Sequence, residues 1–255
     1  MKQISLLVVN TITLIFALVM NSLQGSEVFN RITVGEVSAK YETLFTPAGY
    51  AFAIWGVIYF LLILFVAHQW IVFFRQKEDR ELTQTGWWFA LGNIANGLWI
   101  VAWLNGQIGL SVLLILILLF SLIRLTVGLK LKTWDAPLRI IALVWWPVSV
   151  YLGWVIVATV ANISVFLVSI GWQGGFLAEP TWAIIMIAAA MFVYLVLLKT
   201  RKMRESALVG IWALVAIAVK QWDLNHAIVG AALAASVILV VAIAVDAFKT
   251  RKTPT

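Results

Sequence analysis

Cysteine is absent, which rules out a disulfide framework, thiolate catalysis and Cys-ligated metal. The 2 histidines, His68 and His226, lie far apart in sequence and give no metal-ligand spacing. Charge is scarce: 11% of residues are charged against 63% apolar, with a mean hydropathy of +1.01. A water-soluble domain of 255 residues needs far more polar surface than that. No Gly/Ser- or Pro-rich linker divides the chain, and no segment is low in complexity. Also missing are a G-x-x-x-x-G-K-[ST] phosphate loop, an H-E-x-x-H helix and a dinucleotide fingerprint. No series of carboxylates or histidines crosses the apolar runs, which argues against a proton-coupled pump. Nothing calls for a cofactor or a metal, and the reading is of a chain that is not an enzyme.

What the chain has in abundance is apolar runs of near-spanning length, at 4–20, 49–71, 87–104, 108–129, 140–170, 181–198, 207–219 and 227–248. With lipid as the solvent, every backbone N–H and C=O must be satisfied within the chain. The runs are continuous rather than alternating, so they are helices and not barrel strands. The expected fold is all-α: a polytopic transmembrane bundle of about eight spans, with both termini cytoplasmic.

Basic residues test this layout. Lys2, Arg75, Lys77, Arg80, Arg124, Lys130, Lys132, Arg139, Lys199, Arg201, Lys202, Arg204, Lys249, Arg251 and Lys252 fall on one side of the eight crossings. Only Arg31, Lys40 and Lys220 fall on the other. The positive-inside rule makes the first side cytoplasmic. The net charge of +7 thus belongs to loops at a membrane and not to a nucleic-acid surface. The plasma or inner membrane is the expected location, with the bilayer as the first partner.

Two runs carry alternatives. Run 207–219 is short for a span, but a re-entrant segment there would leave one crossing between two basic clusters and put 249–252 outside. It therefore reads as a short span, with Lys220 snorkelling and Trp222 anchoring the outer end. Run 4–20, preceded by Lys2, has the flank of a signal peptide. Its apolar stretch is long for one and no A-x-A site follows, so it is expected to be retained.

The 14 tryptophans sort by depth. Trp70, Trp87 and Trp88 suit a cytoplasmic aromatic belt, Trp172, Trp182 and Trp222 an outer one, and Trp134 lies in a loop. Trp55, Trp154 and Trp212 lie too deep for a belt; Trp55 is roughly 10 Å below the outer end of its span. Helical spacing places Phe52, Trp55 and Tyr59 on one face, Asn96, Trp99 and Trp103 on a second, and Tyr151, Trp154, Ala158 and Asn162 on a third. These stripes suit helix packing, with Asn96 and Asn162 as interhelical hydrogen-bonding groups. They equally suit the lining of an aromatic cavity in the outer half, with a few polar groups to orient a flat ligand. Arg124 reads as a snorkelling end group, Lys220, Asp223 and His226 as an outer loop with an ion pair, and Glu179 and Asp246 as span-end charges.

The residues that carry these stripes resemble the TspO/MBR family, the tryptophan-rich sensory or translocator proteins, over about residues 1–170. In "FTPAGYAFAIWGVIY", Pro47 takes the second proline position of the family's second helix, and Trp55, Gly56 and Tyr59 match its W-G-x-x-Y. Asn96 and Trp99 match the third-helix pattern, and Tyr151, Leu152, Trp154, Ala158, Thr159 and Asn162 the fifth-helix Y-L-x-W-x-x-x-A-T-x-x-N. The chain departs from the family at Thr46, at Val150 where a proline would fall, and at Ile163, where bacterial members carry a second tryptophan of porphyrin chemistry. No aromatic-then-basic ending associated with sterol binding follows Asn162.

The resemblance implies a five-helix bundle at 1–170 and an additional three-helix extension at 171–255. It also implies a pocket for tetrapyrroles, sterols or drug-like aromatics, capped by the connection 21–46. On this reading Phe52, Trp55, Tyr59, Asn96, Trp99, Trp103, Tyr151, Trp154 and Asn162 line the ligand site. The function expected is binding of a flat hydrophobic ligand for sensing or transport. A small-molecule transporter and a membrane enzyme of isoprenoid or tetrapyrrole metabolism are the alternatives. Gly230, Ala234 and Ala235 suit either packing within the chain or a homodimer.

Overall fold

A computed structural model describes residues 2–41, 43–75, 80–132, 136–172, 174–175 and 177–251. Lys77, Trp134 and Lys252, placed above in cytoplasmic segments, lie outside the described residues. Among the described residues there is no strand, and the regular structure is ten helices: α1 (Lys2–Ser22), α2 (Val34–Lys40), α3 (Ile54–Phe74), α4 (Arg80–Thr85), α5 (Trp88–Leu104), α6 (Ile108–Gly128), α7 (Leu138–Ser169), α8 (Glu179–Arg201), α9 (Arg204–Gln221) and α10 (His226–Arg251). A 3₁₀ turn, Gly49–Ala53, leads into α3.

The spans carry apolar side chains on the outside, as a lipid environment requires. On α1, Ile4, Val8, Ile12, Ile15 and Val19 recur at helical spacing on an exposed face, while Leu7, Leu14 and Ala17 face inward. Six helices are long and apolar enough to cross a membrane. The other two apolar helices fall short of that measure. α5 has 17 residues, about 26 Å of rise against a ~30 Å hydrocarbon core. α9 has 18 residues, with Arg204 and Glu205 at one end and Lys220 at the other. It is longer than the apolar run 207–219, because its terminal turns are polar and hydropathy alone does not register them.

Local chemistry sets the turns. α5 reverses into α6 through Asn105-Gly106-Gln107, where Gly106 adopts φ 71°, a conformation a side chain would strain. Near its start α7 widens into a π segment, Ile141–Trp145, two residues before Pro147. Proline has no N–H, and its ring crowds the carbonyl four residues earlier; the widened turn relieves that clash. α8 begins with Glu179 and Pro180 and ends with Lys199 and Arg201, charges that complement its dipole.

The helices form one packed body. α1 lies on α5 and α3, α6 on α5 and α7, and α10 on α8 and α9. α9 lies directly on α7: a methyl group at Gly153 would sit 2.9 Å from the Ser206 Cα, so only glycine permits this approach. Hydroxyls close the seam, with Ser206 Oγ donating to the Ser149 carbonyl at 2.6 Å and Tyr194 OH to the Gly153 carbonyl at 2.7 Å. On the basic side, Asp246 accepts from Lys202 Nζ at 2.5 Å and Arg204 Nε at 2.7 Å, tying the α8–α9 turn to the end of α10. Lys132 pairs with Glu205 at 2.7 Å. The ion pair expected within the loop of Lys220, Asp223 and His226 is not formed among the described residues: all three side chains are exposed, where water competes with the contact.

Candidate functional site: an aromatic cluster under a helical cap

Three helix faces meet within the bundle because each repeats large residues at three- and four-residue spacing. Trp55 is the hub. Its ring stacks on Tyr59 at 5.5 Å between centroids, lies 6.0 Å from Trp99, and meets Tyr151 at 6.0 Å and Trp154 at 6.3 Å in edge-to-face fashion. Phe52 adds an edge contact to Trp154 at 5.9 Å, and Trp103 stacks on Trp99 at 5.6 Å. Such geometries are favourable for aromatic quadrupoles.

The carboxamides join the same group. Tyr59 OH donates to Asn96 Oδ1 at 2.8 Å. Trp99 Nε1 donates to Asn162 Oδ1 at 2.8 Å, and Asn162 Nδ2 donates to Ser111 Oγ at 2.9 Å. The nine residues singled out in the sequence are therefore brought into one contiguous cluster.

The cluster is closed. Its rings enclose about 20 Å³, room for about one water molecule. Phe52, Trp55, Trp99, Trp103, Trp154 and Asn162 line that space with Pro47, Ser38 and the small side chains of Ala158 and Ala161. Tyr59, Asn96 and Tyr151 do not line it; Tyr59 and Tyr151 reach it through Trp55, and Asn96 through Tyr59. Four buried donors in the cluster have no protein partner: Trp55 Nε1, Trp154 Nε1, Tyr151 OH and Asn96 Nδ2. Buried polar groups are ordinarily hydrogen-bonded, and here four unpaired donors gather among the stacked rings.

The cap is the connection between α1 and α3. Its helix α2 starts at Thr33, whose Oγ1 accepts from the Glu36 amide at 3.3 Å while the Glu36 carboxylate accepts from the Thr33 amide at 2.7 Å. The same Thr33 hydroxyl and amide hold the Glu36 carboxyl below the usual carboxylate range. The cap is pinned to the cluster by Trp103 Nε1, which donates to the Val34 carbonyl at 3.1 Å. Helix α9 grips its far end: the Ala48 amide donates to the Ala216 carbonyl at 3.0 Å, and Trp212 Nε1 to the Ala51 carbonyl at 3.1 Å.

Sequence reasoning missed Ser111, Ser38 and the Val34 carbonyl. Ser111 was visible as a lone hydroxyl in an apolar run; a backbone carbonyl leaves no trace in side-chain spacing. Trp212, read as a deep tryptophan, belongs to the grip on the cap and packs edge-on against Tyr50 at 5.2 Å. Arg124 lies over the Trp88 ring at 5.2 Å, away from the cluster. Among the described residues no group of His, Asp and Glu is placed to hold a metal.

A family model described as TSPO-like protein matches residues 7–245, so the match runs through α8, α9 and most of α10 as well as the seven helices before them. No curated protein and no solved structure matches the chain.

Proposed function

The chain belongs to the TSPO-like protein family, and from that premise we propose that its aromatic cluster binds a flat, hydrophobic, acceptor-bearing ligand, tetrapyrrole first, for sensing or transport. The observation that carries this reading is the set of four unpaired donors, two indole N–H groups, a phenol and a carboxamide, among stacked rings. A ligand with carbonyl or carboxylate oxygens at its edge satisfies them, and its face replaces the ring–ring contacts that the closed cluster makes with itself.

The enclosed volume of about 20 Å³ makes binding an opening event. The rings must part and α2 must lift, releasing the Trp103–Val34 bond. Both are side-chain or local movements and leave the α7–α9 seam intact. The cluster offers donors but no carboxylate or imidazole to take up a proton, which favours binding over catalysis. On this reading residues 1–170 hold the ligand and 171–255 brace the cap. A transport role is favoured by the direct bonds from α9 to Ala48 and Ala51, which link cap movement to the last three helices.

The test is a titration of the purified protein with protoporphyrin, followed by tryptophan fluorescence. Trp55→Phe and Trp154→Phe keep an aromatic ring and delete only the indole N–H and its ring. Each is expected to weaken binding roughly tenfold, the worth of one buried hydrogen bond. Unchanged affinity in both variants sinks the proposed site.

A further inference from the structure

A second recess lies outside the cluster, along a seam between the cap, α7, α8 and α9. One chamber of about 580 Å³ is lined by Ile163, Leu167, Trp172, Trp182 and Met186, among other residues. A second of about 300 Å³ is lined by Tyr41, Lys220, Gln221 and Leu224, among others. Thr43, Leu44 and Glu179 line both, so the two chambers meet at Glu179. The larger volume is that of a small-molecule pocket, and about thirtyfold that enclosed by the aromatic cluster.

Its chemistry is divided. The larger chamber is apolar and firmly built: Trp182 Nε1 donates to the Gly174 carbonyl at 2.6 Å, and Trp182 meets Trp172 edge-on at 5.3 Å. The smaller chamber holds an anomaly. Gln221 is 2% exposed, yet its Oε1 accepts no hydrogen bond. The neighbouring hydroxyls of Thr43 and Thr46 bond each other at 2.7 Å. Glu179 makes no ion pair among the described residues. The junction thus presents two acceptors, one buried and one charged, and asks for a donor.

We propose that this seam binds an amphiphile with an ammonium head, the head between Gln221 Oε1 and the Glu179 carboxylate and the apolar body in the chamber beneath Trp172 and Trp182. An anionic head would meet Glu179 and leave Gln221 Oε1 facing another acceptor. A hydroxyl head satisfies Gln221 but gains nothing from the carboxylate. Lys220 is on the wall of the smaller chamber but is exposed, so its repulsion is screened. The simpler role of Glu179, complementing the α8 dipole from the first turn, predicts no selectivity among heads.

The experiment uses the full chain in phosphatidylcholine nanodiscs and a bromoalkylamine that quenches tryptophan on contact, against a bromoalkanol of the same length. Trp172→Phe/Trp182→Phe supplies the blank. The amine is expected to quench at roughly three- to tenfold lower concentration than the alcohol, and Glu179→Gln to abolish that preference. Gln221→Leu should weaken both probes; Glu179, being exposed, keeps the test answerable if Gln221→Leu does not fold. Equal quenching by amine and alcohol, or a preference that survives Glu179→Gln, overturns the proposal. Trp99→Phe should leave the amine curve within about twofold; a loss as large as with Glu179→Gln would place the amine among the aromatics and also overturn it. Adding phosphatidylethanolamine separates the sources of the shared chemistry: competition assigns the site to that lipid, and an unmoved curve to free lipophilic amines.

Discussion

Two buried regions, the α7–α9 seam and the aromatic cluster, are built in opposite ways. At the seam small residues let backbones touch, and the hydroxyls of Ser206 and Tyr194 end on backbone carbonyls. In the cluster large rings meet other rings, carboxamides bond side chains, and four donors are left over. A seam of backbone contacts has one arrangement; a cluster of side chains with spare hydrogen-bonding capacity has several. The contrast locates rigidity where the last three helices join and adaptability where a ligand would enter.

The sharpest way to break this contrast is Gly153→Val. Its branched side chain has to displace the α9 backbone at Ser206, and overpacking of that kind costs about 3 kcal/mol. Thermal melting in detergent should show a drop of several degrees, with loss of the Trp212 contact to the cap. A melting point equal to that of the unmodified chain would mean the seam yields, and the rigid half of the comparison would be lost.

Asn162→Leu comes next. It removes the acceptor for Trp99 Nε1 and the donor to Ser111, and should cost about 1–2 kcal/mol, the range for hydrogen bonds inside membrane bundles. A neutral result would show that the carboxamide is not structural.

A smaller and more telling pair uses one substitution in both regions. Tyr194 is 0% exposed and Tyr151 2%, and only the first has a partner for its hydroxyl. Tyr194→Phe should destabilise by about 1 kcal/mol, while Tyr151→Phe should be neutral or slightly stabilising, since it deletes an unsatisfied group. Melting curves of the two variants side by side decide it. Equal losses would mean that Tyr151 has a partner, such as a bound water, and that the cluster is less incomplete than it looks.

The sequence reading succeeded where a strong, uniform force acts. Lipid demands helices, so the apolar runs mark the helices to within a few residues, and helical periodicity alone put Trp55, Trp99 and Trp154 on faces that meet. It failed where tertiary contact decides. The extra turns of α9 carry Arg204 and Lys220, which hydropathy treats as loop. Lys202, Arg204 and Asp246 were weighed as topology markers and span ends, and their pairing across three helices depends on how α8, α9 and α10 pack. The capping box at Thr33 and Glu36 was present as T-x-x-E within a segment read only as a polar connection. Whether the aromatic faces enclose a chamber or fill it rests on side-chain rotamers, which no spacing encodes.

The smallest effect expected separates the cap from both regions. Glu36 is lowered by its bonds from the Thr33 hydroxyl and amide, so its carboxylate favours the folded cap. That contribution is complete above the ordinary value of 4.5 and fades as pH falls through the lowered folded value. Protection against hydrogen exchange over 34–40, taken relative to the intrinsic rate at each pH, should therefore fall below pH 4.5, while protection over α7 stays unchanged. Glu36→Gln should remove most of that acid response and leave the neutral-pH rates slightly faster. If the cap and the α7–α9 seam loosen together in acid, the cap is not an independent element, and a ligand could not enter by lifting it alone.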